Sequence, residues 1–361
     1  MRNVLVTGGA GFIGSNFIEY LFKVESEIQI INLDALTYSG NLENLADISN
    51  MDHYIFIHGN ICNHELVLSL FRKYQIDTVV HFAAESHVDR SILNPKEFME
   101  TNVIGTFTLL ESARQAWIEE GLSASSPQRF HHISTDEVFG SLKSDDPPFT
   151  ESTLYCPNSP YAASKAASDH IVRSYGHTYN LPFTITNCSN NFGPYQHLEK
   201  LIPLAITNAV NGKKLPIYGD GMNIREWLYV EDHCEAIREV LKKGKDGETY
   251  LIGGNTQPTN LEVVETICDL LDRKLPESKH IPHRSLIEFV TDRPGHDFRY
   301  AMELEKINRE IGWSPKHTFE SGLEKTVDWY LANRDWIESV SKKSSYKDWM
   351  GKNYSSRGEF K

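Results

Sequence analysis

The alternation of apolar runs with helix-length segments constrains the fold of this chain more than any other feature. Val- and Ile-rich runs occur at Arg2–Thr7, Ile28–Leu33, Tyr54–His58, Ile76–Ala84, Arg129–Ser134 and Phe183–Cys188. Between them lie Phe12–Val24, Glu65–Tyr74, Lys96–Trp117 and Tyr161–Tyr179, each long enough for a helix. A near-continuous apolar strand must be covered on both faces, which requires a parallel sheet with crossover helices. The expected class is α/β, a doubly wound parallel sheet with its ligand crevice at the carboxyl ends of the strands.

After residue 190 Gly and Pro become frequent, as in Gly193-Pro194, Leu215-Pro216 and Gly219-Asp220-Gly221. Trp227–Leu241 reads as a helix and Thr249–Ile252 as a strand returning to the sheet. The expected organisation is a sheet domain over residues 1–190, rejoined by 226–255. Residues 191–225 and 256–361 would form a smaller interleaved α/β lobe that binds substrate. The polar tail from Ser339, with Trp349 and Tyr354, is compatible with order or fraying.

Composition removes several functions. The 361 residues carry 36 basic and 49 acidic side chains, a net charge of −13, which disfavours nucleic acid as a partner. No apolar run approaches the ~18 residues of a membrane span, and the first residues enter a strand without a signal-peptide pattern. Five widely spaced cysteines, with no C-x-x-C pair, predict neither a disulfide framework nor a metal site and suit the cytoplasm.

Gly8, Gly11 and Gly14 fall between the first strand and the first helix. Glycine there lets the backbone turn tightly and approach a pyrophosphate, which the helix N-terminus attracts. Asp34 ends the second strand, 20 residues past Gly14. A carboxylate there suits ribose hydroxyls and repels a 2′-phosphate, so the expected cofactor is NAD rather than NADP. Tyr161 and Lys165 form a Y-x-x-x-K pair on one helix face. The ammonium, together with a positively charged nicotinamide, is expected to lower the tyrosine pKa and make Tyr161 a usable base. Thr135, Asp136 and Glu137 follow the fifth strand at its carboxyl end, supplying a hydroxyl and two adjacent carboxyls.

These features resemble the extended short-chain dehydrogenase/reductase family. Longer motifs resemble its nucleotide-sugar dehydratases: residues 34–38, 83–91 (Ala-Ala-Glu-Ser-His-Val-Asp-Arg-Ser), 134–140, 189–196 and 292–297. The resemblance runs from residue 7 to about 330 and implies a Rossmann fold. It also implies that Phe12, Ile13, Asp34, Ala35, Leu36, Thr37, Asn60, Ile61, Ala83, Ala84, Thr101, Tyr161, Lys165 and Asn191, with the three glycines, hold NAD. Ser86, His87, Thr135, Asn190, Lys200, Leu201, Pro216, Tyr218, Arg225, Asn260, Arg293 and His296 are implied around a nucleotide sugar, dTDP-glucose. The two arginines are suited to its diphosphate. The implied reaction yields a 4-keto-6-deoxy sugar for deoxysugar (rhamnose-type) biosynthesis, with Tyr161 as base at O4, Glu137 as base at C5 and Asp136 as acid at the C6 hydroxyl. Thr135 would orient the sugar hydroxyl. A homodimer built on the helices at 96–117 and 161–179 is implied as well. Asn60, Asn187, Phe139 and Phe192 depart from the family pattern, which bears on fine specificity. Another NAD-dependent nucleotide-sugar dehydratase or a nucleotide-sugar 4-epimerase, acting on a UDP- or GDP-sugar, or a non-catalytic NAD-binding protein, are the alternatives. An epimerase has no need of the Asp136–Glu137 pair, and a sensor has no need of the catalytic set.

Overall fold

A computed structural model describes residues 1–122 and 127–355, with 354 and 355 described in backbone only. Eleven strands occur among these residues: β1 Asn3–Thr7, β2 Gln29–Asp34, β3 Tyr54–His58, β4 Thr78–His81, β5 Arg129–Thr135, β6 Phe183–Cys188, β7 Asn190–Phe192, β8 Leu215–Tyr218, β9 Trp227–Tyr229, β10 Thr249–Ile252 and β11 Ile287–Val290. Seven of them form one parallel sheet, in the order β10-β6-β5-β4-β1-β2-β3. The order reverses between β1 and β4, where Thr7 pairs with His81, and this opens a crevice at the strand ends. β10 lies on the far edge beside β6, so chain from beyond residue 240 closes a sheet begun at residue 3.

Local chemistry sets the helices that matter here. Ser159 Oγ accepts from the Ala162 N–H at 3.1 Å, and Pro160 occupies the first turn of the helix Pro160–Tyr179. Cap and proline together fix where this helix starts, and so where Tyr161 sits. It ends at Asn180, in the left-handed conformation at φ 55°. The stretch expected as one helix over 96–117 runs from Pro95 to Glu119, with π-helical turns at Met99–Gly105 and Gln115–Glu119. Each π turn rotates the following residues about the axis.

Two expectations are corrected. The strand expected over Ile76–Ala84 is only β4, because the chain turns away after His81 to form the crevice wall. Trp227–Tyr229, expected within a helix, is β9 paired in parallel with β7, and the helix starts at Val230. Its N–H and C=O groups are claimed by a strand distant in sequence, which outweighs local periodicity.

A second hydrophobic core buries Ile202, Leu215, Val264, Leu323 and Tyr330. β8 and β11 form a parallel pair on it. The tail folds back as helices Arg334–Lys342 and Ser344–Ser355, while 356–361 lie outside the described residues. Trp336 anchors it by donating to Asn44 Oδ1 at 2.8 Å. No helix among the described residues is long and apolar enough to cross a membrane.

Candidate active site

A cleft of about 360 Å³ opens at the carboxyl ends of β1, β2, β4, β5 and β6, and runs into a second cavity of about 190 Å³ beneath β8. Glu137, Asn190 and Lys200 line both, so the two form one continuous site.

The first cleft begins at the glycine turn. Gly8 adopts φ +72°, and a Cβ there would meet Ala83 Cα at 2.7 Å. A Cβ on Gly14 would lie 2.4 Å from Gly8 O. The turn therefore closes on itself and leaves Gly11, Phe12, Ile13 and Gly14, the helix start, lining the cleft. Asp34 accepts from the Ala10 N–H at 2.9 Å and the Leu36 N–H at 2.7 Å. Its carboxylate thus fastens the glycine turn to the following loop. Burial raises its pKa, and the two backbone donors oppose that rise.

Of the residues the resemblance implies for the cofactor, Ala35, Thr37, Asn60, Ile61, Ala83 and Ala84 line the cleft, as do Thr101, Tyr161, Lys165 and Asn191. Leu36 does not; it sits at φ 49° and contributes its backbone N–H to Asp34. Asn60 Oδ1 accepts from the Cys62 N–H at 2.8 Å, so its amide shapes the loop as well as facing the cleft. Ser86, His87, Asn190, Lys200, Leu201 and Pro216 line the second cavity, together with Tyr218, Arg225, Asn260, Arg293 and His296. The Arg225 guanidinium is buried, donates to the carbonyls of Ile224, Phe298 and Asp297, and lies 4.4 Å over Tyr300.

Thr135, Asp136, Glu137 and Tyr161 come together in the first cleft. Thr135 caps a short 3-10 turn over Asp136–Phe139 by accepting from the Glu137 N–H at 3.3 Å. Asp136 is buried, and its Oδ2 has no hydrogen-bond partner. Burial and the neighbouring Glu137 and Glu226 push its pKa well above the carboxylate range. Glu137 is also raised by burial, but Arg293 and Arg225 pull it back. The two environments thus separate a carboxyl that keeps its proton from one that gives it up more readily.

One electrostatic expectation is corrected. The Tyr161 pKa is raised rather than lowered: burial, Glu137, Cys188 and Asp136 raise it, and the Thr135 hydroxyl opposes them. The Lys165 ammonium instead turns to the sheet and donates to Ile133 O at 2.8 Å. Asn187, buried on β6, donates to Thr135 O at 3.0 Å and so supports the turn from below. Phe139 stacks on Phe149, and Phe192 packs in the second core, so neither supplies a polar group to the site.

Sequence reasoning passed over several residues of this site. Asn102 ties the loop after β4 to the Tyr161 helix, bonding the Glu85 backbone at 2.8 and 3.0 Å and Ser164 Oγ at 2.8 Å. Glu199 is buried against Arg90 at 2.8 Å. The Arg90 guanidinium lies between Tyr38, at 3.9 Å, and Trp349 of the tail, at 4.4 Å. Asp89 accepts from Tyr218 OH at 2.9 Å. Asp89 and Arg90 lie within a quoted motif just past a strand end, a signal that could have found them. Glu199 and Trp349 carry no such signal.

Comparison with known proteins places this geometry. Residues 5–326 match the GDP-mannose 4,6 dehydratase family model. The chain is 53% identical to dTDP-glucose 4,6-dehydratase of Shigella flexneri and 54% identical to that of Salmonella typhimurium, covering 98% of this chain and 99% of each relative. The Bacillus anthracis dTDP-glucose 4,6-dehydratase, crystallised in complex with NAD, superposes with a TM-score of 0.83 at 48% identity, over 94% of this chain and all of that one. The Streptomyces venezuelae enzyme gives 0.86 at 46% identity over the same shares. UDP-glucose 4-epimerase of Thermotoga maritima shares the fold at 26% identity, with a TM-score of 0.81 over 92% of this chain and all of that one. With near-full coverage at such identity, the chain belongs to the dTDP-glucose 4,6-dehydratases of the extended short-chain dehydrogenase/reductase family.

Proposed function

We propose that the protein is an NAD-dependent hydro-lyase that converts dTDP-glucose into dTDP-4-keto-6-deoxyglucose and water, for deoxysugar nucleotide synthesis. The observation that carries this reading is Asp136 beside Glu137 in one cleft with Tyr161, in environments that set the two carboxyls apart.

The glycine turn, with no room for a Cβ at Gly8 or Gly14, and the buried Asp34 at the end of β2 fit a dinucleotide. NAD held there by the glycine turn and Asp34 would supply the hydride acceptor and donor that the conversion needs. Tyr161 takes the O4 proton while Thr135 orients that hydroxyl. The 4-ketone acidifies the C5 hydrogen, which Glu137 removes. Asp136 gives its proton to the C6 hydroxyl, the C6–O bond breaks, and water leaves. Glu137 then returns a proton to C5. Buried Arg225 and half-buried Arg293 support a diphosphate, since guanidinium forks match phosphate oxygens.

Incubation with dTDP-glucose should give the alkaline absorbance of a 4-keto sugar, and UDP- and GDP-linked glucose should give much less. A stronger response with either of those overturns the thymidine assignment. No response with any of the three overturns dehydration, and a 4-epimerase becomes the better reading.

A homodimer is the proposed assembly. Ile104, Phe107, Ile118 and Tyr179 are each more than two-fifths exposed on the outer faces of the 95–119 and 160–179 helices. Apolar side chains so placed support helix packing between two copies. Sedimentation at micromolar concentration should show twice the 41.2 kDa chain mass; a monomer alone would sink the idea. Five unpaired cysteines support a cytoplasmic location.

A further inference from the structure

The helix that carries Tyr161 and Lys165 extends the same stripe to Asp169, one more turn along. Tyr161, Lys165 and Asp169 are spaced i, i+4, i+8 and are 8%, 4% and 0% exposed. An anion buried this completely is costly unless it is paired and hydrogen-bonded. Asp169 is supported on one oxygen: its Oδ2 accepts from Ser134 Oγ at 2.8 Å and from Tyr155 OH at 2.7 Å. Its Oδ1 faces His132 Nε2 at 3.1 Å, close but poorly aligned for a hydrogen bond. The same Nε2 lies 3.4 Å from Lys165 Nζ. The imidazole thus stands between a buried cation and a buried anion.

Every other group facing the ammonium fails as its counter-charge. His81 on β4 and His132 on β5 are held neutral by burial, His132 down to about 4. Cys188 on β6 keeps its proton, pushed up to about 12. Tyr155, across Asp169, keeps its own proton, and Arg173 beyond it carries the same sign as the lysine. Asp169 is held ionised by His132, Lys165 and Tyr155 despite its burial. Among the described residues it is therefore the carboxylate acting on Lys165, and with the smaller effect of Cys188 it opposes the burial that brings the lysine down to about 8.

We propose that Asp169, across the His132 ring, is a positioning residue that keeps the Lys165 ammonium charged and fixed against β5 during the reaction; this rests on the function proposed above. The Y-x-x-x-K pair of this enzyme is on this view a Y-x-x-x-K-x-x-x-D stripe. The carboxylate contacts no reacting atom and works only through the lysine.

The test is the pH profile of the purified holoenzyme on dTDP-glucose. Wild-type turnover comes first: with no 4-keto product the proposed function fails, and the stripe is then judged by Lys165 titration alone, followed by NMR of the labelled lysine. In the wild type kcat should decline as pH rises past about 8. Asp169→Asn removes the charge that holds the proton on Lys165, so this limb should move down by about one pH unit. Well above pH 8, kcat should then be about tenfold below wild type, while near pH 6 it stays within about twofold and KM is unchanged. A purely structural role would lower kcat by the same factor at every pH. That outcome, or an unmoved limb in both kcat and the lysine titration, overturns the proposal. Should Asp169→Asn not fold, as judged by thermal melting and NAD content, His132→Gln decides. It leaves the carboxylate in place but removes the ring packed between the two charges. The limb should again move down, and an unmoved limb there overturns the role of His132 and of the stripe.

Discussion

Tyr161→Phe should give no reduced cofactor when dTDP-glucose is added, whereas Glu137→Gln should accumulate it. In the first variant nothing takes the O4 proton, so oxidation at C4 does not begin. In the second, Tyr161, Lys165 and the cofactor cleft are intact, so oxidation proceeds and the reaction stops for want of a base at C5. Product formation should fall by ~10²–10⁴-fold, the usual contribution of general base catalysis. Asp136→Asn should also spare C4 oxidation and slow water loss, because its raised pKa marks it as the proton donor. The check is absorbance of the reduced nicotinamide in single turnover, beside the alkaline assay for product. Equal loss of C4 oxidation in Glu137→Gln and Tyr161→Phe would remove Glu137 from the role of C5 base.

Gly14→Ala should cost the protein both its cofactor and much of its stability. The added Cβ would meet Gly8 O at 2.4 Å and Gly9 Cα at 2.8 Å, and both are backbone atoms that cannot swing aside. Overpacking of this kind costs about 1–3 kcal/mol, and here the turn that must yield is the one lining the cleft. Gly11→Ala is the control. Gly11 has φ −81°, open to any residue, and its Cβ would meet only Gly8 O, at 3.2 Å. It should melt close to wild type and lose cofactor affinity alone. Thermal melting together with NAD content of the purified protein separates the two. A Gly14→Ala protein that retains stoichiometric NAD would show that the turn is not the cofactor cradle.

Sequence by itself determined the features that depend on neighbours in the chain. Each of the six expected strands lies within two residues of its position in the structure except over Ile76–Ala84, because a strand buried on both faces must be apolar throughout. The Tyr161 helix, the glycine turn after β1 and the carboxyl pair after β5 are local patterns, so they were legible. The strand at Thr249–Ile252 was legible too, through its β-type residues, and it joins the sheet beside β6.

Only the tertiary structure decided how charges meet. The i, i+4 spacing placed Lys165 beside Tyr161 along the helix, but its ammonium reaches Ile133 O and His132, because burial demands partners and the sheet supplies them. Trp227–Tyr229 became a strand because Asn190–Phe192, some forty residues earlier, offered an unpaired edge. Arg90 acquired its place between Tyr38 and Trp349 from a tail 259 residues downstream, which no period in the chain announces. Chain periodicity says which face of an element is buried. Which buried cation finds which anion is set by elements brought together from far apart, where low dielectric makes the pairing strong and an unpaired charge costly.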